Sequence, residues 1–571
     1  MIKSLASLFD CSTVRLIDCS TDRLIDCSTV RQNFKQMKKH KHILLLLLVV
    51  YSCGNSRQSD LTNGINWNEE IIYHVMQRSF YDSTGDGHGD LKGFISKLDY
   101  LEELGVTAIL FTPLYASDFY HNYFPTDYES IDAEYGTLED YLAFVEAVHA
   151  RGMKFMMDME TQYVQNGHPW FEESYKNPDS PFGKYIYYSD TGNHYPEQFL
   201  RPSGSDIYTY QAWPGQMLSI FHLDLNHPAM LEWMKDFYAF WVDPYGDGSL
   251  RSGVDGFRID HIMDDLDHKG IFTGLYEGFW KPVFEHVRSV NPDLFIVGEQ
   301  SNWLAYGDDM MNRSGADASF GFLVRYTIAG ILAADTPDYA VEQHAGNIGE
   351  TILETMNHMP EGKTYVHFLE NHDIHRWASE VGSHPGKLRC GAALTLTLPG
   401  IAAIYYGQEL GVTGMVADWS YDVNHIPVRE AFPWTPDPAD KGIAAFYKDT
   451  GPWWDQSYFN TGASNKFAFS VQQNDPKSLW NLYRSLISLR KGSDALKHGG
   501  FSMLLPGNDN LFAFSRFTEA EIVLVYMNLS DKPLLAETTG NGQPLFTDRA
   551  KRSGNNYEIE PYGFVIIREA P

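Results

Sequence analysis

Three acids stand at the ends of three short apolar runs that lie far apart in the chain. Val254 to Ile259 leads into Asp260, Leu294 to Gly298 stops at Glu299, and Val366 to His372 leads to Asp373. Each run has the β-branched and aromatic content of a buried strand. Strand side chains alternate with period two, so Arg258 shares a face with Asp260, which is delivered to the strand's C-terminal edge. A guanidinium beside a carboxylate favours its ionised form, which suits a nucleophile. Glu299 follows a wholly apolar strand, and such surroundings raise a carboxyl pKa as a general acid requires. Several strands that each deliver an acid to one end are the layout of a (β/α)8 barrel, whose chemistry lies on its C-terminal face.

The segments between these runs supply the barrel rhythm. Ile71 to Val75 reads as the first strand; Leu91, Phe94, Ile95, Leu98, Leu101 and Leu104 follow at helical spacing, and Gly105 ends them. Val106 to Phe111 is a second strand, Thr137-x-x-Asp140 opens a helix, and Phe155 to Met157 form a third strand ending at Asp158. From Thr161 to Phe221 the alternation stops in a stretch rich in Tyr, Pro, Gly, Asn and Ser, too long for a plain loop. Residues 161–221 are therefore read as a small inserted domain over the barrel mouth. The pattern resumes with a helix at Pro228–Trp241, the Asp260 strand, a helix near Leu275–Val290 and the Glu299 strand. A strand around Ala318–Val324, the Asp373 strand, a helix at Gly391–Leu398 and a strand at Ile401–Tyr406 complete eight, before a last helix at Leu479–Arg490. The barrel thus takes residues 67–160 and 222–492, and the short alternating runs of 493–571 read as an antiparallel β-sandwich.

Ahead of the barrel the text is of another kind. Residues 1–36 contain an octapeptide repeat, starting at Asp10, Asp18 and Asp26, too short for a core of its own and read as an upstream extension. Met37 is a plausible true start. A basic head at Lys38 to Lys41, an apolar run from Ile43 to Val50 and Ser52-Cys53 then make a secretion signal over 37–53, too short to span a bilayer. Ser52-Cys53 resembles a bacterial lipobox, with Cys53 lipidated and the protein held at a membrane through that lipid, on the periplasmic face or the cell surface; an ordinary signal peptide reads similarly. Residues 54–66 are a linker. Removal of the signal leaves Cys53 and Cys390, too few for a disulfide framework within the chain.

The 571 residues exceed one compact core, and 43% apolar with 21% charged residues is the balance of a soluble globular protein. A formal charge of −30 argues against nucleic acid as a partner, since phosphates would be repelled. The loop after the first strand reads Asp82-Ser-Thr-Gly-Asp-Gly-His-Gly-Asp90. Oxygen-bearing residues at alternate positions, with glycines for the wrap, suit a calcium ion held by the side chains of Asp82, Thr84, Asp86 and Asp90 and the carbonyl of His88. A solvated acidic turn is the simpler alternative.

Taken together, Asp158, the Gly-Phe-Arg-Ile-Asp run at 256–260, Val-Gly-Glu at 297–299 and Glu-Asn-His-Asp at 370–373 resemble the four signature regions of the α-amylase family, glycoside hydrolase family 13. Asp127-Tyr128, Asp224-Leu-Asn-His-Pro and the stretch from Pro399 to Glu409 support it, and the resemblance covers roughly residues 67–571 in the family's order. It implies retaining cleavage of an α-glucosidic bond in a starch-derived glucan or malto-oligosaccharide, with Asp260 as nucleophile and Glu299 as general acid/base. Asp373 would grip sugar hydroxyls and distort the ring. Arg258, His372 and Asp158 would hold the substrate and the nucleophile, and Tyr123 would form a stacking platform. Two places depart from the family. Gln162 and Tyr163 stand where it has Asn-His, and Asp264 where it has His four positions after the nucleophile. The first His contacts the sugar's 6-hydroxyl in amylases, and the Asn and second His help bind a calcium between barrel and inserted domain, so the resemblance does not carry that ion over. A transglycosylase, an enzyme acting on α-1,6 links, sucrose or trehalose, and an inactive glucan-binding protein remain the other readings; glycan-uptake proteins are further candidate partners.

Overall fold

The computed structural model describes residues 66–333, 344–419, 422–462, 466–538 and 542–569, together with a pair of two-residue antiparallel strands upstream, Ile17–Asp18 and Arg23–Leu24. The signal peptide read at 37–53, its Cys53 and linker residues 54–65 lie outside the described residues.

Eight parallel strands close into a barrel in chain order: β1 (Ile71–Val75), β2 (Ala108–Phe111), β3 (Lys154–Met159), β4 (Gly256–Ile262), β5 (Phe295–Gln300), β6 (Ala318–Phe320), β7 (Thr364–His367) and β8 (Ile401–Tyr405). Period-two alternation decides what each strand does. One series (Ile72, Ala108, Leu110, Met156, Phe295, Val297, Ala318, Val366, Ile401, Ala403) fills the barrel interior, and Trp67 joins it, stacked on Phe295 at 4.6 Å. The other series, including Ile71, Tyr73, Ile109, Phe111, Phe155, Met157, Phe257, Ile259 and Ile404, faces outward and is buried under the helices. Each such aliphatic side chain taken from water contributes about 1.5–3 kcal/mol. The interior is therefore a solid floor, and chemistry is confined to the residues above it.

Several elements differ from expectation. Ala318–Val324 does not continue as a strand: β6 ends at Phe320 and a helix, Phe322–Leu332, begins after Gly321. The helix read across Leu91–Leu104 is two, Leu91–Ile95 and Leu98–Leu104, the second ended by Gly105 at φ 96°. The Leu275–Val290 helix opens with a wide π turn at Tyr276–Trp280 before regular α-helix from Lys281. The penultimate barrel helix starts earlier, at Pro385, and ends at Thr397. The strand carrying Asp260 runs on through Ile262, with a bulge between Ile259 and Ile262 against β5. Gly253 enters that strand so close to the preceding helix that a Cβ there would sit 1.8 Å from the Val242 carbonyl oxygen.

Between β3 and β4, Tyr163–Gln165 pairs antiparallel with Ile220–His222, and Tyr210–Gln211 with Met217–Leu218. The C-terminal antiparallel domain is one hydrogen-bonded sheet of six strands, β9 (Gly500–Met503), β10 (Leu511–Phe517), β11 (Ile522–Asn528), β12 (Leu534–Ala536), β13 (Gln543–Ser553) and β14 (Asn556–Glu569). Its long last strand pairs with β11, β12 and β13. One face (Phe512, Phe514, Val523, Val525, Phe564) joins the barrel's outer core, while the other (Leu511, Ala513, Leu524, Tyr526, Val565) closes over a core of its own. Among the described residues no helix is long and apolar enough to cross a membrane.

Candidate active site

The inward series continues upward from the apolar floor, and there it changes chemistry. After Met156 on β3 comes Asp158; after Gly256 on β4 come Arg258 and Asp260; after Val297 on β5 comes Glu299. Cross-strand register sets Arg258 opposite Asp158 on one side and Val297 on the other. The guanidinium consequently touches all three acids. Its Nη1 donates to both oxygens of Asp158, at 2.7 and 2.9 Å, and to Asp260 Oδ1 at 2.5 Å; Nη2 donates to Glu299 Oε2 at 2.5 Å. Asp158 is fully buried and Glu299 nearly so, whereas the side chains of Asp260 and Asp373 keep 15% and 25% of their surface and are the acids that open to solvent.

Burial penalises every one of these carboxylates, and their partners decide which stays charged. Asp260 is held far below the usual carboxylate range, because Arg258 and a charged His261 outweigh its desolvation. His261 Nδ1 donates to Asp260 Oδ2 at 2.6 Å and its pKa is pushed up to about 10, with Asp260 as the largest favourable partner. Glu299 is raised to about 7, chiefly by burial, with Asp260 and Asp373 adding to the rise and Arg258 opposing it. Asp158 is likewise raised by burial to about 7. An ionised carboxylate beside a protonated one is the division that acid-assisted nucleophilic attack requires.

Asp373 reaches the same place from the turn after β7. Arg429 Nη2 donates to Asp373 Oδ1 at 3.1 Å while its Nε donates to the His372 carbonyl at 2.9 Å. His372 Nε2 lies 3.0 Å from Asp373 Oδ2 and 2.7 Å from the Tyr123 hydroxyl, which itself donates to Asp158 Oδ2 at 2.6 Å. Burial keeps His372 well below the ordinary imidazole value, so the ring is neutral. Tyr123 was expected to offer a flat platform. The residue is 7% exposed, its ring lies along His372 with centroids 5.5 Å apart, and its hydroxyl bridges Asp158 and His372. Glu370 is turned away, its carboxylate taken by Arg376 at 2.9 Å and by the Trp377 amide. A small cavity lined by Ile72, Leu110, Val297 and Ala403 with His74 and Asn371 lies in the barrel interior; none of the three acids lines it.

Four contacts escaped the sequence reading. His261 belongs by alternation to the outward series, but the bulge turns it toward Asp260. Glu160 sits two residues past Asp158 in the inward register and is fully buried. Trp303 Nε1 donates to Glu299 Oε1 at 3.1 Å from the loop after β5, and Arg429 comes from a stretch without periodicity. At the departures from the family pattern, Gln162 Nε2 donates to Glu160 Oε2 at 3.2 Å, and the Tyr163 hydroxyl is shared by His261 and Asp267. Asp264 receives the Tyr276 amide at 3.0 Å and pairs with Arg313 at 2.9 Å.

The acidic loop is wrapped on itself. Asp82 accepts the amides of Thr84, Gly85 and Gly87 and the Thr84 hydroxyl, and Asp90 accepts the amide and hydroxyl of Ser83 and caps the Leu91 helix at Gly93. Asp86 accepts the His88 amide, and the His88 ring contacts Arg78. Gly85 and Gly87, at φ 89° and 93°, make the wrap possible.

Residues 74–499 match the family model of the α-amylase catalytic domain. The chain belongs to the α-amylase family. Alpha-amylase 3 of Dictyoglomus thermophilum is 30% identical over 513 residues, covering 87% of this chain and 93% of that protein. The trehalose synthase/amylase TreS of Mycobacterium tuberculosis is 27% identical, over 81% of this chain and 82% of the relative. Among solved structures, Amy13B of Eubacterium rectale superimposes with a TM-score of 0.72 at 24% identity, over 89% of this chain and 97% of that one, a likeness of fold.

With Glu299 as the expected general acid and Asp260 as the expected nucleophile, cleavage would need Glu299 protonated and Asp260 ionised at once. Turnover (kcat/KM) is therefore expected to fall as pH rises through about 7, where Glu299 loses its proton, while the acid side holds until far lower pH because Asp260 stays charged. A pH–rate profile measures both limbs; activity that stays flat well above neutrality would exclude Glu299 as the acid.

Proposed function

We propose that the chain is a retaining glycosidase that cleaves α-glucosidic bonds of starch-derived glucans or malto-oligosaccharides through a covalent glycosyl-enzyme. The observation that carries the reading is the single guanidinium of Arg258 between Asp260 Oδ1 and Glu299 Oε2, 2.5 Å from each. Two carboxyls on adjacent arms of one guanidinium favour the close spacing of about 5 Å used by retaining enzymes over the wider gap that admits a water in inverting ones. In the first step Asp260 forms a bond to the anomeric carbon as the glycosidic C–O bond breaks, and Glu299 gives its proton to the departing oxygen. In the second, Glu299 takes a proton from water, the hydroxyl oxygen bonds to the anomeric carbon, and the electron pair of the ester bond returns to Asp260. His372, Asp373 and Asp158 would hold the sugar's hydroxyls and the nucleophile's neighbours, with Tyr123 bridging them.

A second reading, transfer of the glucosyl group to another sugar, is favoured by one feature. Tyr163 stands where the resemblance puts a sugar-contacting histidine, and its hydroxyl is engaged with His261 and Asp267. The likeness to a trehalose synthase/amylase supports keeping it.

The proposal extends to the loop and the N-terminus. The oxygen donors of Asp82, Thr84, Asp86, Asp90 and the His88 carbonyl suit a calcium ion, whose contribution there would be to neutralise and stiffen the loop. Cys53, after the apolar run and ahead of a polar linker, suits lipidation, secretion and a membrane-held enzyme working beside glycan-uptake proteins.

Four measurements test this. Asp260→Asn should cost a factor on the order of 10⁴ or more in turnover with the melting temperature kept, as expected when a nucleophile is removed; the wild type's product profile on starch, pullulan, maltose, isomaltose, sucrose and trehalose then separates hydrolysis from transfer. Excess EDTA should lower the melting temperature, and an unchanged melt would count against the loop ion. Mass spectrometry of the mature N-terminus should find a diacylglyceryl group on Cys53; an unmodified cysteine would remove the anchor.

A further inference from the structure

Behind the nucleophile sits a carboxyl that the reaction as written does not use. Glu160 lies just past β3 in the same inward register as Asp158 and is fully buried. Its Oε1 accepts the Gln162 amide at 2.5 Å, and its Oε2 accepts Gln162 Nε2 at 3.2 Å and stands 3.8 Å from His261 Nδ1. Polar atoms of Glu160, Asp260 and His261 all lie within 4.8 Å of one another, which sets the Glu160 and Asp260 carboxyls side by side. The surrounding shell is phenolic. The Tyr115 hydroxyl accepts the Glu160 amide at 2.8 Å, and Tyr128, Tyr163 and Tyr238 lie near enough to feel the Glu160 charge, with Asp158 two residues before it and Asp267 on the far side of Tyr163.

Two buried carboxyls in contact are costly when both are charged, so one keeps a proton. Asp260 has Arg258 at 2.5 Å and His261 at 2.6 Å, whereas Glu160 has amide donors and a more distant imidazolium. The proton therefore resides on Glu160, and burial raises that group well above the ordinary value. A carboxyl hydrogen bond with a protonated Glu160 has only one direction: Glu160 donates and Asp260 accepts.

We propose that Glu160 is a positioning residue for the nucleophile, holding a proton and donating a hydrogen bond to the Asp260 carboxylate, so that with Arg258 and His261 it fixes which oxygen attacks the sugar. This rests on Asp260 as the nucleophile. The same three donors steady Asp260 as a leaving group when water displaces it from the glycosyl ester: the bond from the anomeric carbon to Asp260 breaks, its electron pair returns to the carboxylate, and the water's proton goes to Glu299. Losing the Glu160 donor should therefore slow the second step more than the first.

Glu160→Gln keeps a donor of the same shape, and Glu160→Val removes it. With an aryl α-glucoside bearing a good leaving group as probe, E160Q should stay within about threefold of wild-type kcat, while E160V should lose about 10- to 100-fold, the worth of a hydrogen bond to a charged group. E160V should also show a burst of released phenol as glycosyl-enzyme accumulates. The alkaline limb of wild-type kcat/KM should be steeper than that of E160Q by the one ionisation that Glu160 contributes, a readout that stands even if E160V does not fold. Equal impairment of both variants, or wild-type rates and pH profiles in both, would overturn the proposal while an inactive Asp260→Asn left the nucleophile in place; an active Asp260→Asn would instead overturn the nucleophile.

Discussion

One guanidinium organises this active site. Arg258 is almost wholly buried, and its two terminal nitrogens serve Asp158, Asp260 and Glu299 together. A buried cation among three acids is not a net source of stability, because the desolvation of four charges competes with their attraction. What it supplies is order. It fixes three side chains from adjacent strands at once; all three acids lean on its charge, and the second cation, His261 beside Asp260, leaves Asp260 the ionised member while burial raises Glu299 and Asp158 toward neutrality. Removing it would leave buried carboxylates uncompensated, a far larger penalty than the pairing itself repays.

The barrel makes that arrangement reachable. The register that fills the interior with Ile72, Leu110, Met156 and Val297 is the register that, one step higher, presents Asp158, Arg258 and Glu299. A slip of one residue in β3, β4 or β5 would turn the acid into the outer core and an apolar residue into the cleft. Packing of the floor thus enforces the geometry of the site, since the apolar interior and the charged ring share the same alternation.

That shared alternation is also why so much was legible. Apolar runs ending in acids gave the barrel and three of its acids without reference to any contact, and Arg258 followed from its place two residues before Asp260. Legibility failed where structure departs from period two or from local pairing. His261 reads as outward-facing until a bulge between Ile259 and Ile262 turns it onto Asp260. Glu160 was in plain view on the inward register, but a strand taken to end at Met157 left it in a loop, whereas β3 runs to Met159. Arg429, which holds Asp373 and the His372 carbonyl, comes from a stretch that carries no repeating pattern. The C-terminal strands were readable singly; their assembly into one sheet depends on which partners the long β14 selects, and alternation encodes no partner.

The join between the barrel and the segment after β3 shows how far local replacement can go. The resemblance puts a calcium at this join in the amylases, and here Gln162 and Asp264 stand in place of two of the residues that would help hold it. Along the same join this chain has an ammonium of its own. Lys269, on the turn after β4, donates to Glu197 Oε1 and the Gln198 carbonyl at 2.5 Å each and to the Arg201 carbonyl at 3.0 Å. Glu197 is fully buried, and alone its charge would be costly. Two residues earlier Asp267, held at φ 54°, takes the Tyr163 hydroxyl at 2.9 Å and His222 Nε2 at 2.7 Å. Residues 267–269 therefore grip the segment at its start, its middle and its end. A lysine brings its charge with the chain, so this clamp does not depend on the supply of an ion. Because Tyr163 also meets His261, and His261 meets Asp260, the groups that fasten the segment are continuous with those that hold Asp260. Order in the segment over the barrel mouth and order at Asp260 are, on this geometry, a single property.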